Sequence, residues 1–124
     1  MIKLYEEFSK EEPKVERKYW DNGQKKSEEW KVNGERHRED GPAYQFWLEN
    51  GQKKIELWYL NGKKHREDGP VFINWSENGQ KINEQWFLND KEYSRGEWVE
   101  KLKEIRSPHY REQKILLNAE KYNI

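Results

Sequence analysis

Two segments of this chain group side chains of the kinds that do chemistry. His37-Arg38-Glu39-Asp40-Gly41-Pro42 returns 28 residues later as His65-Arg66-Glu67-Asp68-Gly69-Pro70. An imidazole beside carboxylates can move protons or hold a metal ion. The same string is also turn chemistry: Asp accepts local backbone hydrogen bonds, Gly takes positive φ, and Pro opens the next strand. Repetition favours the turn. A site needs one good copy, whereas a connector is needed at every junction. The string is also absent after the last repeat, where the chain reads Tyr93-Ser94-Arg95-Gly96-Glu97-Trp98. Three His and no Cys give no zinc-ligand spacing. There is no Gly-rich phosphate loop, nucleophile elbow or paired-carboxylate motif. The expectation is therefore no catalytic residue, no metal and no cofactor.

Aromatic side chains offer a second chemistry. Seven Trp, seven Tyr and four Phe are spread over 124 residues, and rings interleaved with basic residues can stack bases. The basic residues near them include Arg36, Arg38, Lys63, Lys64 and Arg66. Acidic residues interleave equally: Lys plus Arg is 24 and Asp plus Glu is 24, for a net charge of zero. A binder held by counterion release usually carries a basic excess. The rings are more simply the burial material of a chain poor in aliphatic residues. The length fits one domain. The absence of Cys excludes a disulfide framework. No apolar run approaches a membrane span and no secretory leader opens the chain, so a cytoplasmic location is expected.

The elements that must position these residues come from an internal repeat. Asn22-Gly23, Asn50-Gly51 and Asn78-Gly79 keep the 28-residue interval, as do Trp30, Trp58 and Trp86. A second turn set follows at Asn33-Gly34, Asn61-Gly62 and Asn89-Asp90. Asn-Gly between aromatic and β-branched runs signals a hairpin, here expected as a two-residue type I′ turn at Asn22-Gly23. That turn sets Tyr19 opposite Lys26 and Val15 opposite Trp30. One face then carries Val15, Tyr19, Trp30 and Val32 and their equivalents as a continuous aromatic core. The other face is polar in the first copy, except for Trp20, and apolar in the second: Tyr44, Phe46, Leu48, Ile55, Leu57 and Tyr59. Ser94 with Glu97 makes a capping box, so a helix is expected there, with Trp98, Leu102 and Ile105 on one side. Ser107-Pro108 is expected to start a second helix bearing Tyr110, Ile115, Leu116 and Leu117. The fold expected is mainly β, with stacked antiparallel hairpins over 14–93, C-terminal helices over 94–124 as a cap, and 1–13 as an N-terminal cap or degenerate strand.

The units Trp47-Leu48-Glu49-Asn50-Gly51 and Trp58-Tyr59-Leu60-Asn61-Gly62 resemble the MORN-variant repeats of bacterial, phage and giant-virus proteins. The resemblance covers roughly residues 14 to 92. It departs from the common pattern at the connector, where His37 and His65 precede Arg-Glu-Asp-Gly-Pro. It implies a non-catalytic fold made for protein contact, sometimes lipid contact, and some bacterial members carry an antitoxin label.

The function expected is that of a protein-binding protein, a small inhibitor or antitoxin-like factor that occludes a partner surface. Phage-encoded anti-defence activity of the anti-CRISPR type is one instance. The residues expected at the partner surface are Tyr44, Phe46, Leu57, Tyr59, Trp20, Arg38 and Arg66. The alternatives are a nucleic-acid binder using aromatic and Arg side chains, and a peripheral lipid-binding module. The open sheet edge of the first hairpin also invites a homodimer.

Overall fold

The computed structural model describes residues 11–108. Among them lie the strands β1 (Lys14–Tyr19), β2 (Lys25–Val32), β3 (Glu35–Arg36), β4 (Tyr44–Trp47), β5 (Lys53–Leu57), β6 (Tyr59–Leu60), β7 (Lys63–Lys64), β8 (Phe72–Trp75), β9 (Lys81–Leu88) and β10 (Lys91–Tyr93), followed by the helix α1 (Arg95–Arg106). The main sheet runs β1-β2-β4-β5-β8-β9-β10, with β3 also on β2, and β6-β7 form a separate ribbon. Every pairing is antiparallel. The chain is thus mainly antiparallel β with a helix at the end of the stack.

Each repeat joins the next through the same register. Ser27, Glu28 and Glu29 of β2 face Phe46, Gln45 and Tyr44 of β4. Ile55, Glu56 and Leu57 of β5 face Asn74, Ile73 and Phe72 of β8. Just beyond each ladder the Trp30 N–H donates to Ala43 at 2.7 Å, and the Trp58 N–H to Val71 at 2.8 Å. Ala43 and Val71 are the best-buried side chains because the repeats meet there.

The first turn of each repeat differs from expectation by one residue. Val15 does face Trp30, but Tyr19 faces Lys25 rather than Lys26, with a bulge between. The Trp20 carbonyl accepts from the Gly23 N–H, the Trp20 N–H donates to the Gln24 carbonyl, and only Gly23 has positive φ (85°). This is a type I turn closed by a glycine bulge, not a type I′ turn. The second turns do carry two positive-φ residues each: Asn33 and Gly34, Asn61 and Gly62, Asn89 and Asp90.

The core also departs from a continuous Trp ladder. Trp30 and Trp58 are half-buried and Tyr19 is 58% exposed on β1, the outer strand of the described sheet. The tightest cluster forms instead at the C-terminal end, where Leu88, Trp98 and Leu102 pack with Trp86, Tyr93 and Ile105. The Trp86 and Trp98 rings lie 4.7 Å apart. Ser94 caps α1 through the expected box: its hydroxyl accepts from the Glu97 N–H and Glu97 accepts from the Ser94 N–H, both at 3.2 Å. The second helix, with Tyr110, Ile115, Leu116 and Leu117, and most of the N-terminal segment lie outside the described residues.

Candidate functional site

The connectors hold the repeats together. The His37 Nδ1 accepts from the Asn61 backbone N–H at 2.8 Å, and the His65 Nδ1 accepts from the Asn89 N–H at 3.0 Å. Each imidazole therefore reaches 24 residues forward to the second turn of the following repeat. An accepting Nδ1 leaves the proton on Nε2, which faces Glu39 at 3.5 Å in His37 and Glu67 at 3.1 Å in His65. Both nitrogens of the His65 ring are hydrogen-bonded, and the Nδ1 of His37 is.

Arg38 and Arg66 cover the repeat tryptophans. The Arg38 guanidinium carbon lies 4.2 Å from the Trp30 ring centre, and that of Arg66 lies 3.8 Å from Trp58. Arg38 Nε donates to Asp40 at 2.9 Å and Arg66 Nε to Asp68 at 2.8 Å. Their Nη1 groups donate to the carbonyls of Pro42 (3.3 Å) and Pro70 (3.0 Å). The indole N–H of Trp30 donates to Glu28 at 2.9 Å and that of Trp58 to Glu56 at 2.5 Å. Neither Gly41 nor Gly69 has positive φ, correcting the turn-based expectation; glycine there leaves room for the guanidinium of this clasp. A Cβ at Gly41 would sit 2.9 Å from the Arg38 guanidinium carbon, and one at Gly69 2.7 Å from that of Arg66.

Glu28 is the buried charge of this layer. Arg17 donates to it at 2.8 Å, Lys25 at 3.2 Å, Arg38 at 3.4 Å and Gln45 at 3.3 Å. Burial pushes its carboxyl up, but the hydrogen bonds from Trp30, Arg17 and Lys25 outweigh burial and bring it from 4.5 to about 2. Sequence reasoning did not single out Glu28 or Glu56. The signal was present, since Glu precedes Trp by two and Arg follows it by eight in both repeats.

On the opposite face the expected partner residues do come together. Tyr44 faces Leu57 and Phe46 faces Ile55 across β4–β5. Arg36, which the sequence places among the aromatic residues but not at the partner surface, lies 4.7 Å from the Tyr44 ring and 5.5 Å from the Tyr59 ring, and donates to Glu29 at 2.8 Å. Trp20 meets Phe46 edge-on at 6.1 Å and carries the Lys26 ammonium 4.6 Å from its ring centre. These side chains are half-buried. The helix residues Trp98 and Leu102 do not cover them but pack on Trp86 and Leu88; Leu116 and Leu117 lie outside the described residues. Arg38 and Arg66 stand apart from this face, beside a cleft of about 300 Å³ shared with Trp58 and His65.

Among the described residues no cluster of His, Asp and Glu has the form of a metal site, and no helix is long and apolar enough to cross a membrane. No protein-family model, curated protein or solved structure matches the chain.

Proposed function

We propose that this chain is a non-catalytic protein-binding protein, a rigid β-scaffold that occludes a partner's surface as a small inhibitor or antitoxin-like factor does in the cytoplasm. The MORN-variant resemblance points the same way, and phage-encoded anti-defence activity of the anti-CRISPR type falls within this class. The observation that carries the reading is the Tyr44–Arg36–Tyr59 stack, with Phe46 and Leu57 in register beside it. Tyr and Arg dominate the energetic centres of protein interfaces. A hydrogen-bonded sheet presents them with little ordering cost on binding. The connectors support the reading by their engagement, since His37, His65, Arg38 and Arg66 already hold structural partners. Base stacking draws less support: Arg38 and Arg66 occupy a face of Trp30 and Trp58, and Phe46 and Lys26 crowd Trp20.

The test is capture from host lysate by the full chain and by Tyr59→Glu in parallel. A discrete protein retained by the native chain and lost by a variant of unchanged melting temperature is the expected outcome. A folded Tyr59→Glu chain that retains the same partner would remove this face from the interface. Tight binding to bare RNA or DNA, collapsing steeply with salt, would move the assignment to nucleic acid.

A further inference from the structure

Among the described residues the 28-residue lattice leaves two strand edges without a partner strand, and they match each other. In the first two repeats the middle of the second strand receives the next repeat's first strand, at 27–29 and at 55–57. The equivalent stretch of β9, Asn83-Glu84-Gln85, pairs with β8 on one side and, among the described residues, with no strand on the other; β10 takes only Trp86, Phe87 and Leu88. Residues 81–85 are all exposed. The helix α1 does not fold over them. It turns back along the array, where the Trp98 indole donates to the Arg66 carbonyl at 3.2 Å and Arg106 to the Glu67 carbonyl at 2.9 Å. At the far end of the sheet β1 pairs, among the described residues, with β2 alone.

We infer that β9 of one chain accepts β1 of a second copy, continuing the repeat register head to tail. That register is set by the protein itself. Trp30 and Trp58 point their backbone N–H toward the following repeat, so Glu84 and Ile82, two and four residues before the equivalent Trp86 on β9, point theirs outward. Advancing the β2–β4 pairing by two repeats sets Glu84 opposite Arg17 of the copy, Asn83 opposite Lys18 and Gln85 opposite Glu16. Glu84 is the one repeat glutamate with no connector Arg, because Ser94 stands where Arg38 and Arg66 stand in the earlier repeats. Arg17 uses its Nε on Glu28, and its remaining guanidinium N–H groups can serve a second carboxylate, much as Gln45 sits between Glu28 and Glu56. The same register continued by one residue brings Tyr19 beside Ile82. These are the two most exposed large hydrophobic side chains of the described residues, at 58% and 55%. Charge, apolar surface and backbone donors thus complement one another in one alignment. A two-fold pairing of β9 with itself centred on Glu84 would set like charges together, and one centred on Asn83 would leave Arg17 and Tyr19 unused.

So short an interface gives a weak, concentration-dependent association, micromolar or weaker, and a head-to-tail contact extends beyond a dimer. Sedimentation velocity of the full chain over about a hundredfold range of concentration tests it. The expected result is an average mass that rises with concentration without stopping at two chains. Glu84→Arg sets two guanidinium groups together and is expected to hold the chain monomeric. Glu84→Pro removes only an outward N–H, which an edge strand tolerates, and is expected to do the same while keeping the melting transition. Mixing Glu84→Arg with Arg17→Glu restores opposite charges at both contacts, so the mixture is expected to associate where each protein alone does not. A native chain that stays monomeric throughout, or a folded Glu84→Arg chain that associates as the native one does, overturns the inference. A native dimer indifferent to Arg17→Glu overturns it as well, in favour of β9 pairing with β9.

Discussion

At the scale of single residues, Glu28 makes a prediction about acid. Its carboxyl ionises at about 2 in the folded chain against an ordinary 4.5. A depressed carboxylate stabilises the fold above the unfolded value, and that stabilisation is lost as pH falls through the folded one. The window runs from about pH 4.5 to about pH 2, and the contribution is at most about 3 kcal/mol. Glu28→Gln keeps an acceptor for the Trp30 indole but nothing to titrate, so urea melts of the variant should show a flatter acid limb than those of the native chain. The connector glycines make a second prediction. In Gly69→Ala the new Cβ competes with a guanidinium held between Trp58 and Asp68. The guanidinium has to shift on the ring, at a cost of up to about 1 kcal/mol, read as a slightly lower melting midpoint with altered Trp fluorescence. The imidazoles make a third. The side-chain oxygen of Asn stands at the same reach as a His Nδ1, so the double variant His37→Asn, His65→Asn keeps the acceptor for the Asn61 and Asn89 N–H groups and should fold. His65→Leu leaves the Asn89 N–H without its partner and should lose about 1–3 kcal/mol. Equal stability of the Asn and Leu variants would refute the staple.

At the scale of elements, α1 seals the third repeat rather than the apolar face of the second. Trp98→Ala should therefore cost about 3–5 kcal/mol, and hydrogen exchange should speed up in β9 and β10 before it does in β1 and β2. Much of this arrangement was legible in the sequence. The Asn-Gly and Trp interval gave the hairpins, Val15 opposite Trp30 gave the register within the first one, and Ser94 with Glu97 gave the helix start. What escaped depends on contacts that local pattern does not encode. The glycine bulge at Gly23 uses the same Asn-Gly pair as a type I′ turn, and Asn22 tolerates either sign of φ, so the sequence does not choose between the two closures. The clasp of Arg38 on Trp30 forms after the chain has turned through Asn33-Gly34 and returned, so a guanidinium eight residues downstream reads as solvated charge until the turn geometry is known. Arg36 has the weakest signal. Its equivalent is Lys64, which sits 4.8 Å from the Phe87 ring as Arg36 sits over Tyr59. The pair becomes visible only once cation and ring are assigned to successive repeats.

At the scale of the whole molecule, the histidine staples make length a free variable. The contact from His37 to the Asn61 turn and that from His65 to the Asn89 turn use the same atoms one period apart, so the junctions are interchangeable. A second copy of residues 38–65 spliced in after His65 would meet both its neighbours through bonds that the native chain already makes. Nearest-neighbour arrays gain one internal interface for each added unit, so the lengthened protein should melt at a higher temperature. Two more sheet strands should extend it by about 10 Å in small-angle scattering. A loss of cooperative melting would show that the junctions are not equivalent. If they are, a gene encoding this chain can grow or shrink by in-frame duplication of 84 nucleotides, three for each of the 28 residues in a repeat, without inventing a new contact. Its reach across a partner then becomes a quantity that recombination sets in whole steps, while point mutation is left to tune the chemistry of each step.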